Sequence, residues 1–86
     1  MANKVVMYCT TWCGDCRAAE AFLDKNNVQY IKVNIEDDDE AAKLVMRVNN
    51  GKRSVPTFDV DGQYVNASPF SPEKRKRLAE VLELPS

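Results

Sequence analysis

The sequence predicts an α/β fold in which three helices flank a four-stranded mixed sheet, in the order β-α-β-α-β-β-α. Two patterns lead to this prediction: strand-like apolar runs alternate with segments of helical spacing, and an Asp-Gly turn signal separates the last two strand-like runs. The chain has 86 residues, enough for one modest hydrophobic core. We therefore expect residues 1–86 to form a single domain without a linker or an internal repeat.

The first half of the chain contains a predicted β-α-β unit. Lys4–Tyr8 is mostly apolar and rich in β-forming residues, which indicates a buried strand. A helix is predicted from about Gly14 to Asn26, followed by an alternating strand over Val28–Ile35. Because a helix joins the two strands, they should be parallel with a right-handed crossover. The predicted apolar stripe of the helix is Ala18, Ala19, Phe22 and Leu23.

A second helix is predicted to begin with Asp37 or Asp38 as its cap and to end near Val48. Its apolar positions recur at helical spacing and are Ala41, Leu44, Val45 and Val48. The helix dipole favours acids at a helix start and bases at a helix end. We therefore expect the acidic run Glu36–Glu40 at the start of this helix and the basic run Lys74–Arg77 at a helix end, both as solvated faces without a nucleic-acid partner.

The last third of the chain predicts a hairpin and a third helix. Val55–Val60 and Gln63–Asn66 are strand-like and flank Asp61-Gly62, a hairpin turn signal. Ser71-Pro72 places a proline at the first position of the final helix. The predicted buried face of that helix is Leu78, Val81 and Leu82.

Composition indicates an ordinary soluble globular protein, with 44% hydrophobic residues, 29% charged residues and a formal net charge of −1. The sequence shows no signal-peptide pattern and no apolar run of membrane-spanning length, so we expect a cytoplasmic monomer with no membrane partner. Cytosolic thiols are normally kept reduced. For the three cysteines, a catalytic or metal-binding pair is therefore favoured over a structural disulfide.

The most informative motif is Cys13-Gly14-Asp15-Cys16, at the point where the first helical pattern begins. This spacing stacks the two sulfurs on one helical face, close enough to form a disulfide. Cys13 should lie among the free N–H groups of the helix N-terminus, which favours the reactive thiolate, while Cys16 lies one turn inside. We predict that Cys13 attacks a disulfide and that Cys16 or a small thiol resolves the product. A C-x-x-C beside a β-α-β pattern is the usual signal of the thioredoxin fold.

Neighbouring residues complete a predicted substrate site. Trp12 offers a flat apolar surface, and Gly14 allows a tight turn and leaves room for a substrate. Asp15 is hypothesised to tune electrostatics and partner choice. A cis bond between Val55 and Pro56 would leave the Val55 backbone free to pair with an extended thiol-peptide, whereas a trans proline would simply start a strand.

Several segments together resemble the glutaredoxin family, most closely its mycoredoxin-like branch. The resemblance covers nearly the whole chain and is carried by Tyr8, Thr10–Gly14, Cys16, Val48–Thr57, Asp61-Gly62, Asn66 and Ser68-Pro69. It implies a thioredoxin fold with a cis Pro56, Cys13 as the nucleophile and Cys16 as the second cysteine. It also implies that Arg53, Ser54 and Val55 hold the backbone of a small thiol.

The same resemblance leaves the electron donor open. Asn66, Ala67 and Ser68 fall where glutathione-using members often place a Gly-Gly-x-x-Asp carboxylate clamp, but this chain has neither the aspartate nor the paired glycines. Glutathione, mycothiol and bacillithiol are all candidate co-substrates, with disulfide-containing proteins as further partners and no tightly bound cofactor. The Trp12–Cys16 motif also resembles thioredoxin, which would receive electrons from a flavin-dependent disulfide reductase.

Cys9 introduces competing interpretations. Cys9, Cys13 and Cys16 spell C-x3-C-x2-C, a spacing also used for [4Fe–4S] clusters in radical enzymes, which are far larger than this chain. An iron–sulfur cluster shared between two chains is less favoured, and a zinc site would lack a fourth ligand. Cys9 is expected to pack as a small hydrophobe, with a regulatory thiol as the alternative. A binding module without activity is disfavoured because both motif cysteines are present.

Overall fold

The computed structural model describes residues 4–11 and 13–84, and its secondary structure follows the predicted order. The seven elements are β1 Val5–Cys9, α1 Gly14–Lys25, β2 Ile31–Asn34, α2 Asp39–Val48, β3 Thr57–Val60, β4 Gln63–Asn66 and α3 Pro72–Val81. The predicted α/β fold with four strands and three helices is confirmed.

The four strands form one mixed sheet in the order β2-β1-β3-β4. Strands β1 and β2 are parallel, and β3 is antiparallel to both β1 and β4, as the connections predict. Tyr8 pairs with Thr57, so the end of β1 lies beside the start of β3. This register brings the segment around Cys13, which follows β1, and the loop around Pro56, which precedes β3, to the same end of the sheet.

Helices cover both faces of the sheet, in two apolar clusters. The larger cluster joins β1, β3 and β4 to α1 and α3 and contains Val5, Met7, Cys9, Cys16, Ala19, Leu23, Phe58, Val60, Val65, Ala67, Leu78 and Leu82. The smaller cluster lies under α2 and contains Ile35, Ala41, Ala42 and Val45, with Tyr8, Val33 and Val55 packed against it. Val55 therefore belongs to the edge of the core and to the rim of the site at the same time.

Helix starts agree closely with the sequence predictions because capping is a local interaction. Asp38 caps α2, its Oδ1 accepting the Ala41 N–H at 3.1 Å. Ser71 caps α3, its Oγ accepting the Lys74 N–H at 3.3 Å. Each such cap satisfies one of the free N–H groups of a first helical turn. Within residues 4–11 and 13–84, each helix is too short or too polar to span a lipid bilayer.

Two predicted strands are shorter in the structure. Strand β2 covers Ile31–Asn34 rather than 28–35, because the Val28 N–H donates to Leu23 O and belongs to the end of α1. Strand β3 begins at Thr57 rather than Val55, since Thr57 is the first of its residues to pair with a neighbouring strand. The residues freed from β3 form the loop that faces Cys13.

Two predictions about helix faces are wrong. Ala18 is exposed, so the buried face of α1 is formed by Cys16, Ala19 and Leu23 instead. The basic run Lys74–Arg77 lies in the first two turns of α3, and the last turn of α3 carries no basic residue. The run follows the solvent-facing sides of the helix, so exposure rather than the helix dipole accounts for its position.

Candidate active site

Cys13 is the N-cap residue of α1, and its sulfur takes the place of a capping hydroxyl. Its Sγ accepts the backbone N–H of Cys16 at 3.2 Å, and its own carbonyl accepts the Arg17 N–H. A hydrogen bond from a backbone N–H becomes stronger when the acceptor is ionised, and the positive end of the helix dipole acts in the same direction. The half-buried sulfur is thus accessible and lies at the positive end of the helix dipole.

Cys16 occupies the opposite environment one turn further along α1. Its side chain is 2% exposed and belongs to the larger apolar cluster. Burial raises the pKa of Cys16 far above its ordinary value, and the neighbouring Cys13 side chain raises it further. At neutral pH, Cys16 is therefore a neutral thiol. The two cysteines differ in exposure and in surroundings, as an attacking and a resolving sulfur should.

The loop that contains Pro56 forms the opposite wall of the site. The Val55–Pro56 peptide bond is cis, as the family resemblance implied, and Pro56 is buried. The Cys13 thiol donates to the Val55 carbonyl at 3.6 Å. Within the described residues, the Val55 N–H has no hydrogen-bond partner. A backbone segment with an unbonded N–H, and with a C=O that accepts from the Cys13 thiol, therefore stands directly in front of the sulfur.

The predicted binding residues on the other side of this loop engage one another. The Asn66 Nδ2 donates to Ser54 Oγ at 2.8 Å, and its Oδ1 accepts the Ser68 N–H at 2.9 Å. The Ala67 side chain is fully buried, and its N–H donates to Pro56 O at 2.9 Å. The side chains of Ser54 and Asn66 thus brace the loop around Pro56.

The remaining predicted site residues lie around the mouth. Gly14 is the first residue of α1 and has no positive φ, so the expected tight turn does not require glycine there. A Cβ at Gly14 would meet nothing within 4 Å, which leaves open space beside Cys13. Arg53 is exposed. Trp12 lies outside the described residues.

Asp15 connects the first turn of α1 to the loop before α3. Its Oδ1 accepts the Phe70 N–H at 3.1 Å, across 55 positions of sequence. The Phe70 ring packs against Phe22 of α1, with ring centroids 5.9 Å apart and planes inclined by 59°. From the sequence, Asp15 is expected to tune electrostatics and partner choice. The structure adds a structural role for Asp15, because its carboxylate links the loop before α3 to the helix that carries both cysteines.

Substitution of Asp15 should separate these two roles. In Asp15→Ala the Phe70 N–H loses its acceptor, and we expect a loss of about 1–2 kcal/mol of unfolding free energy. Asp15→Asn keeps a side-chain oxygen that can accept this bond, so it should remain within about 1 kcal/mol of the wild type while lacking the charge. Urea denaturation of the three proteins measures the difference. Equal destabilisation by both substitutions would assign the effect to the charge.

Cys9 lies beneath the pair, at the end of β1. It is fully buried in the larger apolar cluster, as expected of a small hydrophobic residue. Burial raises the pKa of the Cys9 thiol, and the positive charge of Lys32 lowers it in part. Among residues 4–11 and 13–84, no group of three or more side chains is suitably arranged to hold a metal ion.

Comparison with known proteins supports the chemistry that this geometry suggests. Residues 5–65 match the family model described as Glutaredoxin. The chain belongs to the glutaredoxin family. Members of this family are thiol–disulfide oxidoreductases, and the paired Cys13 and Cys16 are consistent with that activity.

Individual glutaredoxin relatives match most of the chain. It is 31% identical over 85 residues to Glutaredoxin 1 of Rickettsia prowazekii, covering 94% of this chain and 88% of that one. It is 38% identical over 55 residues to Mycoredoxin 1 of Corynebacterium glutamicum, covering 64% and 67%. Among solved structures, the chain is similar to a mutant form of the thioredoxin-like protein BC3987, with 26% sequence identity and a TM-score of 0.78. The match covers 96% of this chain and 99% of that chain.

Two residues at the back of this glutaredoxin site make contacts that the sequence does not predict. Asn49 and Thr57 both belong to the segment Val48–Thr57 that carries the family resemblance, and Thr57 directly follows Pro56. Both side chains are hydrogen-bonded behind the loop that contains Pro56. No local sequence pattern predicts these hydrogen bonds, because the partner side chains and carbonyls lie in other elements. The sequence offers one hint, the polar side chain of Thr57 directly after Pro56 in a strand-like run.

Proposed function

We propose that this glutaredoxin reduces mixed disulfides of proteins or small thiols, with Cys13 as the nucleophile and Cys16 as the resolving thiol. The Cys13 thiolate attacks one sulfur of the substrate, and the other sulfur leaves as a thiolate that takes a proton from water. Cys16 then attacks the Cys13 sulfur and passes its proton to the second leaving thiolate. The resulting Cys13–Cys16 disulfide is reduced by two small thiols, which are oxidised to their disulfide.

The observation that carries this proposal is the contrast between the two sulfurs. Cys13 Sγ is accessible, accepts the Cys16 N–H at 3.2 Å and faces the Val55 carbonyl at 3.6 Å. Cys16 is buried and protonated. A thiol that stays neutral until a mixed disulfide forms beside it does not compete for the first attack. Its position one turn away still allows it to complete the exchange.

The backbone of Val55 is the proposed docking edge for the substrate. An extended chain that carries the target disulfide would accept a hydrogen bond from the Val55 N–H and donate one to its C=O. This pairing would hold the substrate sulfur next to Cys13 as an added strand holds to a sheet edge. Gly14 supports the same placement, because the space above it is open.

The proposed electron donor is a low-molecular-weight thiol with a recognition mode different from an aspartate clamp. At the corresponding positions, Asn66 and Ser68 bond to each other, and Ala67 is buried. No acidic side chain stands between residues 66 and 71 to pair with the amino group of glutathione. The similarity to Mycoredoxin 1 adds support for a donor of another type.

A donor panel tests this proposal. Hydroxyethyl disulfide reduction is measured with glutathione, mycothiol or bacillithiol, each with its own recycling reductase. We expect turnover with at least one thiol and at least about tenfold lower kcat/KM with glutathione than with the best donor, because one charge-assisted contact is worth about 1.5–3 kcal/mol. Glutathione as the best donor would contradict the donor assignment. The absence of turnover with every donor would contradict the small-thiol route.

A thioredoxin-like role is the second candidate. It is favoured by the match over nearly the full length of the thioredoxin-like protein BC3987, at a TM-score of 0.78. In that case a flavin-dependent disulfide reductase would reduce the Cys13–Cys16 disulfide directly. Insulin reduction with NADPH and thioredoxin reductase, without any small thiol, distinguishes the two routes. Activity in this assay alone would assign the thioredoxin-like role.

A further inference from the structure

Four polar side chains form a connected set of hydrogen bonds behind the docking edge. We call this set the asparagine bracket; it consists of Asn49 at the end of α2, Ser54 in the loop, Thr57 in β3 and Asn66 in β4. We infer that Asn49, Thr57 and Asn66 are positioning residues that hold the Val55 backbone in front of Cys13. The inference rests on the proposed docking of substrate at Val55 and adds the residues that make this docking possible.

Asn49 is the central member of the bracket. Its Nδ2 donates to Val45 O at 2.8 Å and to Thr57 Oγ1 at 3.0 Å. Its Oδ1 accepts from the Asn66 Nδ2 at 2.8 Å. Both of its N–H donors and its oxygen are thus used. If Asn49 served only to satisfy a free carbonyl at the end of α2, its bond to Val45 O would be enough.

Thr57 connects Asn49 to the loop through hydrogen bonds of its hydroxyl group. Its side chain is 1% exposed, and its hydroxyl accepts from Asn49 and donates to Ser54 O at 2.7 Å. One hydroxyl group thus connects the end of α2 to the carbonyl of the residue before Val55. The direction of the O–H is determined, because the Asn49 Nδ2 can only donate.

Asn66 holds the same loop residue from the other side. Its Nδ2 donates one hydrogen to Asn49 Oδ1 and the other to Ser54 Oγ, both at 2.8 Å. Ser54 is therefore held at its carbonyl by Thr57 and at its hydroxyl by Asn66. On the far side of Val55, the Pro56 carbonyl accepts the Ala67 N–H at 2.9 Å.

This arrangement fixes the residues on both sides of Val55 and leaves Val55 itself available. None of the three positioning side chains bonds to Cys13 in the structure. Their loss should therefore change how the substrate is held and leave the intrinsic reactivity of the sulfur intact. Small misplacements of a docking group can cost up to about 100-fold in rate. We expect KM for a disulfide substrate to rise about 5- to 20-fold when the bracket is opened.

Asn49→Asp tests the bracket against a closely matched control. The new carboxylate lacks N–H donors and can accept the Thr57 O–H, which would turn that hydroxyl away from Ser54 O. Asn26 is the C-cap of α1, and its Nδ2 donates to Phe22 O at 2.8 Å, four residues back, as Asn49 does to Val45. Asn26→Asp therefore causes the same loss at a helix end, about 20 Å along α1 from Cys13.

A second pair of variants tests the hydroxyl of Thr57. Thr57→Val keeps the shape of the side chain and removes both hydrogen bonds, whereas Thr57→Ser keeps the hydroxyl. We expect the valine variant to raise KM and the serine variant to restore it close to the wild-type value. If Asn49→Asp fails to fold, this second pair still tests whether the bracket positions the Val55 backbone.

The measurements are kcat and KM for a peptide that carries a mixed disulfide with the best thiol of the donor panel, and the rate at which iodoacetamide alkylates Cys13. The inference predicts a raised KM in Asn49→Asp and Thr57→Val, near-wild-type values in Asn26→Asp and Thr57→Ser, and one alkylation rate for all five proteins. Equal KM values in Asn49→Asp and Asn26→Asp, or in Thr57→Val and the wild type, would overturn it. A wild-type protein without any exchange activity would instead refute the proposed function, and the inference with it.

Discussion

Cys13→Ser is expected to reduce thiol–disulfide exchange to the uncatalysed level, a loss on the order of 10³-fold or more. A serine hydroxyl is not ionised at neutral pH and is a poor nucleophile toward sulfur. The substitution should leave the fold intact, because serine is a preferred N-cap and can accept the Cys16 N–H that Cys13 Sγ accepts now. Hydroxyethyl disulfide turnover measures the loss, and urea denaturation checks the fold.

Cys16→Ser is the matched variant and should behave differently. The first attack needs only Cys13, so the variant should still react with a disulfide. Without the resolving thiol, the mixed disulfide at Cys13 should accumulate and appear in intact-mass spectra as one added thiol. An adduct on Cys13→Ser that is absent from Cys16→Ser would reverse the assigned roles of the two cysteines.

The reduced protein is expected to lose stability steeply above about pH 9. Burial raises the pKa of both Cys9 and Cys16 above the ordinary value of 9.0. A thiol whose pKa is higher in the folded state contributes its full stabilisation below the unfolded-state pKa and loses it as the pH rises toward the folded-state pKa. Each buried thiol should therefore remove up to about 1.4 kcal/mol of unfolding free energy per pH unit. Urea denaturation between pH 7 and 10 under reducing conditions measures this slope.

The oxidised protein provides the control for this prediction. A Cys13–Cys16 disulfide removes the Cys16 thiol in both the folded and the unfolded state, which leaves Cys9 as the buried thiol that titrates. The alkaline slope should then fall to roughly half, and Cys9→Ala should lower the slope of the reduced protein in the same way. Burial also raises the pKa of Tyr8 and Tyr30, whose ordinary value is 10.0, so they add to the loss only at the upper end of the range. Equal slopes in the reduced and oxidised proteins would contradict the role of Cys16.

Features of the fold that depend on neighbouring residues were predicted well from the sequence. Asp38 and Ser71 act as helix caps because each bonds to an N–H three residues away. Strand β4 was predicted with its observed bounds, since the Asp61-Gly62 turn fixes the pairing of a hairpin locally. The start of β3 was predicted two residues early, because strand pairing depends on the facing strand as well as on the apolar run.

Within the candidate site, the two cysteines and their closeness on one helical turn follow from the sequence alone. The cysteines lie three positions apart on α1, so their proximity needs no other part of the chain. Their surroundings depend on how the helices and strands pack. The contact between Asp15 and Phe70 spans 55 positions, and the one between Asn49 and Asn66 spans 17. Such partners are selected when helices and strands pack together and every buried polar group must find a hydrogen bond, a condition that no single segment expresses in its own residues.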